Sequence, residues 1–230
     1  MKVQIWSDVM CPFCYIGKKN FEKALAQLPF ADAIEVEWKS FQLDPTLQET
    51  SGTLTTKQYL MNKRGLSEAQ LDQMMGGMLQ MGKQAGIDFE KGNPIVANTM
   101  KAHQLLHVAK KHNVQNEMEE LLFQSHFINS ENVADETVLI ALGNQLGIDS
   151  EEIRKAFSDE VIAYEVQQDI LEARSIGVSG VPFFVLNNKY AVSGAQPSEV
   201  FVDALTQSYN EINPSQEVVQ GNSCSIDGCE

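Results

Sequence analysis

Two cysteines separated by two residues, Cys11 and Cys14, are the side chains of this sequence best suited to chemistry. The chain has four cysteines in 230 residues, and random placement gives only about 0.07 pairs at this spacing. A thiolate can attack a disulfide, and a second thiol one helical turn away can then release the mixed disulfide. The spacing therefore predicts thiol–disulfide exchange, with Cys11 as the attacking cysteine and Cys14 as the resolving one.

The elements around this pair must place Cys11 at the beginning of a helix. The segment VQIWSD, residues 3–8, is rich in β-branched and aromatic residues and predicts a strand. The segment after CPFC has apolar residues at helical spacing, and Pro12 suits the first helical position, where its missing N–H costs nothing. The dipole and free N–H groups at a helix N-terminus stabilise a thiolate, so we expect an exposed, nucleophilic Cys11 and a more shielded Cys14.

Two other interpretations of Cys11 and Cys14 stay open at this point. A zinc half-site would need two further ligands, from the remaining cysteines or the four histidines. A purely structural disulfide would close so small a loop that it would constrain the unfolded chain little. A CxxC pair between a strand and a helix is typical of redox motifs, so we predict no metal site.

A second cysteine pair, Cys224 and Cys229, lies in the last ten residues, GNSCSIDGCE. Four residues separate the two, and the DG dipeptide between them favours a turn that can bring the sulfurs together. Three interpretations compete: an auxiliary redox pair that exchanges with the CPFC motif, an inert or self-bridged tail, and a metal site shared with CPFC. We favour the auxiliary redox pair.

The rest of the chain predicts further strands on either side of a long helical stretch. IEVEWKSF, residues 34–41, alternates apolar and charged residues and predicts a second strand, parallel to the first. Nearly everything in residues 55–176 has helical periodicity. In residues 178–194 two β-rich runs meet at Asn187-Asn188, a dipeptide that suits a tight hairpin turn because asparagine tolerates positive φ.

This order predicts an α/β chain in which a mixed sheet is flanked by helices. We predict a discontinuous sheet domain over residues 1–50 and 177–209, the latter ending in a helix, PSEVFVDALTQSY. A large all-helical insertion is expected over residues 51–176, and a polar C-terminal tail with the second cysteine pair over residues 210–230.

Polar residues near the motif have ordinary interpretations. Asp8, Glu35 and Glu37 could assist proton transfer as buried carboxylates, but we expect them on a solvated strand face. His103 and His107 share a helix face without the glutamate of the metalloprotease pattern. We therefore expect both histidines at the surface or partly buried.

One predicted helix carries an apolar stripe that is rich in methionine. Its members are Leu71, Met74, Met75, Met78 and Leu79. We expect these five side chains to form part of an ordinary helix core. The alternative is an adaptable peptide-binding surface, because methionine packs around varied partners.

Charge and hydropathy exclude several classes of partner. The net charge of −14 argues against nucleic acid, because phosphate binding depends on Lys and Arg. The same charge disfavours anionic membranes, and no apolar run reaches the ~20 residues needed to span a bilayer. The N-terminus has no signal-peptide core, so we predict a cytoplasmic protein, where paired cysteines favour catalysis, redox sensing or metal over structural bridges.

With SDVMCPFCYIGKKNFEKAL and VSGVPFFVLNNKYAVSGAQ together, residues 1 to 210 resemble the DsbA-type oxidoreductases of thioredoxin-like fold, and within them the FrnE-like subgroup. The resemblance implies that Cys11 attacks, that Cys14 resolves, and that Val181-Pro182 is a cis-proline loop facing them. Pro12, Phe13, Val181 and Pro182 would then contact substrate. FrnE-like proteins in some cases carry a second C-x₄-C pair, which the tail resembles.

Phe13 departs from the DsbA pattern, in which histidine is typical at this position. A protonated histidine beside the nucleophile favours the thiolate, and phenylalanine lacks that charge. We therefore expect this dithiol to be less oxidising than that of DsbA, because Phe13 stands where DsbA typically has histidine.

The leading function is a thiol–disulfide oxidoreductase for protein or small-molecule thiols and disulfides. We expect no tightly bound cofactor, and glutathione or another thiol as electron donor or acceptor. The same resemblance suggests an alternative, a glutathione-dependent isomerase or transferase of the 2-hydroxychromene-2-carboxylate isomerase or kappa class. Those proteins typically carry serine where Cys11 stands, so the dithiol favours redox chemistry. A third possibility is a holdase with a vestigial motif.

Overall fold

The computed structural model describes residues 1–48 and 56–213. Its four strands are β1 (Lys2–Ser7), β2 (Glu35–Ser40), β3 (Phe183–Leu186) and β4 (Tyr190–Ser193). They form one sheet in the order β2-β1-β3-β4. β1 runs parallel to β2 and antiparallel to β3, and β3 pairs antiparallel with β4. The predicted mixed sheet is confirmed. So is the tight turn, since Asn187 and Asn188 both have positive φ.

The described residues form nine α-helices, seven of which lie between β2 and β3. They are α1 (Pro12–Leu25), α2 (Thr56–Arg64), α3 (Glu68–Ala85), α4 (Met100–Lys111), α5 (Gln115–Phe123), α6 (Glu136–Gln145), α7 (Ser150–Phe157), α8 (Glu160–Ser175) and α9 (Ser198–Ile212). A π-helical turn, Gln124–Ile128, continues α5. The helical stretch expected between the two halves of the sheet is therefore present. Its treatment as a separate domain stays a prediction.

One core fixes the helix that carries the cysteines onto the sheet. Phe21 of α1 packs 5.5 Å, between ring centroids, from Phe184 of β3, which lies 4.6 Å from Phe201 of α9. Val3 and Ile5 of β1 complete this apolar layer, and both are fully buried. Large buried aromatic and branched side chains stabilise such a layer by about 2 kcal/mol each. The N-terminus of α1 is thereby held at the carboxyl end of β1.

A second core joins the helices α4 to α8. Its buried residues include Leu105, Leu122, Leu139 and Ile153. Val9, which lies between β1 and CPFC, is fully buried in the same core. The helical stretch therefore packs directly against the loop that leads into the cysteine motif.

Several polar residues expected at the surface are buried by this packing. Asp8 and His103 are each 1% exposed, and Glu37 and His107 are 6% and 7% exposed. The expectation of a solvated strand face is wrong for Asp8 and Glu37 because the helical stretch covers the ends of β1 and β2. Glu35 is exposed, as expected.

The last helix extends three residues past the expected boundary at residue 209. α9 continues to Ile212, so residues 210–212 belong to the helix and not to the polar tail. Glu211 anchors this last turn because its carboxylate accepts a hydrogen bond from Tyr190 of β4 at 3.0 Å and pairs with Lys189. Within the described residues, no helix combines the length and apolar character required to cross a membrane.

Candidate active site

Cys11 immediately precedes α1 and has an extended backbone, with φ −96° and ψ 111°. Its amide N donates to the carbonyl of Asp8 at 2.9 Å, and its own carbonyl accepts from the amide of Cys14 at 3.0 Å. Pro12 occupies the first turn of the helix, as the sequence predicts. Cys11 is therefore at the helix N-terminus, where backbone N–H groups favour a thiolate.

Cys14 lies one turn further into α1 and is fully buried, whereas 4% of Cys11 is exposed. The order of exposure agrees with an attacking Cys11 and a shielded Cys14, but the expectation of an exposed Cys11 is wrong. Cys11 is covered because side chains of α3 and of the turn Phe89–Lys91 pack against the start of α1.

The loop before β3 faces Cys11. The Val181-Pro182 peptide bond is cis, as the resemblance implies. The Cys11 thiol lies 3.6 Å from the Val181 carbonyl oxygen, to which it can donate. A Cβ on Gly17 would lie 2.8 Å from Cγ of Pro182, so only glycine allows α1 and this loop to approach so closely. Gly17 was missed in the sequence, although a lone glycine inside a helical pattern often marks close packing.

Apolar side chains surround the two cysteines. Tyr15 stacks on Phe123 with ring centroids 4.9 Å apart, and Phe89 and Phe127 complete the aromatic group. Half-buried apolar residues border it, namely Phe13, Met78, Leu79, Met81, Ile128, Val181 and Ala195. Both Pro12 and Phe13 are half-buried, and Pro182 is buried.

The methionine stripe of α3 is only partly core. Leu71 is fully buried, but Met74, Met75, Met78 and Leu79 are half-buried. The expectation of ordinary core is therefore correct for Leu71 and wrong for the other four residues, because much of α3 is exposed to solvent. Met78 and Leu79 border the cysteines and leave part of their surface open beside them.

A polar group lies on the buried side of Cys14. The hydroxyl of Ser7 donates to Glu119 Oε1 at 2.7 Å, and both residues are at most 2% exposed. The Nε2 atom of His103 lies 3.6 Å from Asp8 Oδ1. The sequence could have indicated Glu119, because it falls on the same helical face as Leu122 and Phe123, which are apolar and buried.

Burial sets the protonation of this group. It raises the pKa of the Cys14 thiol well above its usual value, and Cys11 adds to the rise, while the Asp8 backbone and the Ser7 hydroxyl oppose it. Burial likewise raises the pKa of Glu119 to about 7, although Ser7, His103 and Lys18 favour its charged form. A carboxyl group poised near neutrality therefore lies behind the less exposed cysteine.

The predicted auxiliary pair, Cys224 and Cys229, lies outside the described residues. Its proposed exchange with CPFC stays a prediction.

A family model described as the DSBA-like thioredoxin domain matches residues 2–206 of the chain. The chain belongs to this family. The thioredoxin-like fold of DsbA proteins expected from the sequence is thereby confirmed.

Solved structures extend the comparison of this DSBA-like chain. A probable DsbA oxidoreductase from Streptomyces coelicolor is 37% identical with a TM-score of 0.86, covering 100% of this chain and 98% of that one. A 2-hydroxychromene-2-carboxylate isomerase is similar in fold at 13% identity and a TM-score of 0.70, covering 93% of this chain and 98% of that one. The cytosolic disulfide reductase DsbM of Pseudomonas aeruginosa shares the fold at 14% identity and a TM-score of 0.60, covering 93% and 97%.

Proposed function

We propose that this DSBA-like protein is a thiol–disulfide oxidoreductase of the FrnE-like subgroup, acting through Cys11 and Cys14. The observation that carries the proposal is the pairing of Cys11, at the N-terminus of α1, with the cis-proline loop, at 3.6 Å from the Val181 carbonyl. Val181 of this loop and the half-buried Phe13 border Cys11, and we propose that a substrate disulfide approaches past them. An extended peptide could pair with the Val181 backbone there, with Pro12, Phe13 and Pro182 as further contacts.

The reaction proceeds through a mixed disulfide. The Cys11 thiolate attacks one sulfur of the substrate disulfide, and the other substrate sulfur leaves as a thiolate. Cys14 then attacks Cys11, the Cys11–Cys14 disulfide forms, and the second substrate sulfur is released. The substrate gains two electrons and the enzyme loses them. The reverse sequence oxidises substrate thiols.

The electron donor or acceptor we propose is glutathione or another thiol, with no tightly bound cofactor. The fold neighbour DsbM is described as a cytosolic disulfide reductase and has also been determined with GSH. We propose the same compartment, the cytoplasm, where reduction or isomerisation of protein and small-molecule disulfides is favoured over oxidation unless oxidative stress intervenes. Neither nucleic acid nor membrane is a proposed partner. Cys224 and Cys229 are proposed as an auxiliary redox pair.

Trapping of the mixed disulfide tests the proposal. Cys14→Ser removes the resolving thiol, so disulfide-linked adducts should accumulate on Cys11 and disappear with reductant. Non-reducing electrophoresis and mass spectrometry detect them and identify the attached thiols. Cys11→Ser and the double variant are matched controls and should form none. Adducts at equal levels in the controls would contradict the assignment.

The likeness to the isomerase favours a second candidate, glutathione-dependent isomerisation or transfer. Reduction of insulin by the wild-type protein, abolished by Cys11→Ser, supports the oxidoreductase. Isomerisation of an aromatic substrate with glutathione that survives Cys14→Ser would favour the second candidate, because such chemistry needs no dithiol. Full protection of an unfolded client by Cys11→Ser, with no turnover in the wild type, would indicate a holdase.

A further inference from the structure

Helix α8 carries apolar side chains on the face that packs on the protein and also on the face that meets solvent. Its inner face holds the residues Ile162, Val166, Asp169, Ile170 and Ala173, which are all buried. On its outer face, Val161, Tyr164 and Leu171 are 64%, 62% and 50% exposed. A helix at the surface of a soluble protein ordinarily presents polar side chains on the face away from the core. The outer face of α8 departs from that pattern.

The preceding helix, α7, shows the ordinary pattern. Its apolar Ile153 and Ala156 are buried. Its exposed residues are all charged, namely Glu151, Glu152, Arg154 and Lys155. The exposed apolar side chains are therefore a property of α8 and not of the helical stretch as a whole. Neighbouring exposed apolar side chains on a soluble protein mark an interaction surface.

The outer face of α8 has the spacing of a helix that packs against a second helix. Val161, Tyr164, Gln168 and Leu171 follow one another at intervals of three, four and three residues, the spacing of the a and d positions in paired helices. All four side chains are exposed. One polar residue among apolar ones, as Gln168 is here, fixes the register of such a pair.

Opposite charges without partners lie at the two ends of one flank of this face. Glu160 and Arg174 are exposed, and neither forms an ion pair within the part of the chain that the structure describes. They are 14 residues apart in the sequence, about four helical turns, so both lie on the same side of α8. On the opposite flank, Glu165 and Glu172 already pair with lysines of their own chain.

We propose that the outer face of α8 binds a second copy of this chain, with the two α8 helices antiparallel about a twofold axis near Gln167. The a and d positions of antiparallel helices face each other. Val161 of one copy therefore lies opposite Leu171 of the second copy. In the same alignment Tyr164 lies opposite Gln168. Each contact occurs twice, because a twofold interface uses the same surface of both copies.

The charges beside this face select a second copy as the partner and set its direction. The alignment that pairs the apolar residues also places Glu160 of each copy opposite Arg174 of the other, so an ion pair forms at each end. A parallel arrangement would instead place Glu160 beside Glu165 of the second copy, and like charges repel. One flank carries both members of the ion pair, so the surface is complementary to itself.

The contact is small, so we expect a reversible dimer. The 16 residues of α8 span about 24 Å, which gives a narrow interface beside the ~800 Å² per partner of standard complexes. Sedimentation equilibrium of the full chain from about 1 µM to about 1 mM covers such weak association. Salt at about 0.15 M shortens the screening length to about 8 Å and limits repulsion from the net charge of −14. A reductant in the buffer excludes dimers linked by disulfides.

Exchange of the two charges is the decisive experiment. Glu160→Arg and Arg174→Glu each place like charges opposite one another, so each variant alone should dimerise about tenfold more weakly than the wild type. An equimolar mixture of the two variants should recover the dimer, because one is positive at both positions and the other negative. The double variant Glu160→Arg/Arg174→Glu should recover it too. Tyr164→Ala, which removes the largest exposed apolar side chain of the face, should also weaken association about tenfold.

Matched controls lie on other helices. Arg154→Glu changes an exposed charge on α7, and Ile212→Ala removes an apolar side chain of α9 that is 51% exposed. Both should dimerise as the wild type does, and so should Cys11→Ser, because the contact does not depend on the proposed chemistry. A wild-type protein that stays monomeric over the whole range would overturn the proposal. Equal weakening by the controls, or no recovery in the mixture, would overturn it as well.

Discussion

Two buried carboxylates of the helical stretch, Glu119 on α5 and Asp169 on α8, face the ends of adjacent parallel strands but differ in their partners. Glu119 accepts one hydrogen bond, from Ser7 at the end of β1. Asp169 accepts from Lys39 at 2.9 Å and from the Ser40 amide at 3.0 Å, and lies 3.1 Å from His107 Nε2. Similar burial therefore leads to opposite electrostatic outcomes.

The pKa values of the two groups show this difference. Burial raises the pKa of Glu119 to about 7. Burial also favours the neutral form of Asp169, but hydrogen bonds from His107, Ser40 and Lys39 outweigh it and hold the pKa of Asp169 below its usual value. Asp169, with its several partners, is suited to holding α4 and α8 onto β2, whereas Oε2 of Glu119 has no hydrogen-bond partner among the described residues.

The largest expected effect is the loss of stability on replacing Asp169, the carboxylate with several partners. Asp169→Asn should lower the free energy of unfolding by roughly 3 kcal/mol at neutral pH, because Lys39 and His107 lose their buried charge partner. Urea denaturation measures it. Wild-type Asp169 gives this stability above its unfolded pKa of about 3.8 and loses it as pH falls through the lower folded pKa. The difference in the free energy of unfolding between variant and wild type should therefore shrink at acid pH. A difference that does not depend on pH would contradict the comparison.

The stability contributed by Glu119 should change with pH in the opposite direction to that contributed by Asp169. The pKa of Glu119 is raised from its ordinary value of 4.5 to about 7, so the folded protein binds more protons than the unfolded chain between these values. The Glu119 contribution to stability should fall by roughly 2–4 kcal/mol as pH rises through this window, and then stay constant.

Glu119→Gln should remove this dependence, so that the variant is at least as stable as the wild type at about pH 8. Denaturation series on both proteins, from acid to alkaline pH, measure the difference. A variant that is strongly destabilised above neutrality would mean that Glu119 is held as a structural anion, like Asp169.

The smallest effect concerns a hydrogen bond to the backbone on the paired side. The Trp6 indole donates to the Asp169 carbonyl at 2.9 Å in a buried position. Trp6→Phe removes this buried hydrogen bond and should cost about 1–2 kcal/mol, although the Asp169 carbonyl still lies within the backbone hydrogen-bonding of α8. Trp38→Phe, whose indole partner Asn116 is exposed, is the control and should cost less, because water can replace the lost donor. Equal losses by thermal or urea denaturation would contradict the difference.

Local chemistry made the candidate active site visible in the sequence. The CPFC spacing, a proline suited to the first helical turn and the Asn187-Asn188 turn act through neighbouring residues, and the structure has the helix and the hairpin where these predict them. The cis bond at Pro182 followed from a resemblance and not from local pattern. Gly17, whose role depends on a loop more than 160 residues away, was missed.

The sequence by itself determined the order of elements, the mixed sheet and the position of Cys11 at a helix N-terminus, because turn chemistry and periodicity act over a few residues. Only the tertiary structure decided which charged groups are buried and how many partners each receives. Ser7 and Glu119 are 112 residues apart in the chain, and Ser40 and Asp169 are 129 apart. Their protonation depends on desolvation and hydrogen bonds that exist only once α5 and α8 pack over the strand ends, and no local pattern encodes that packing.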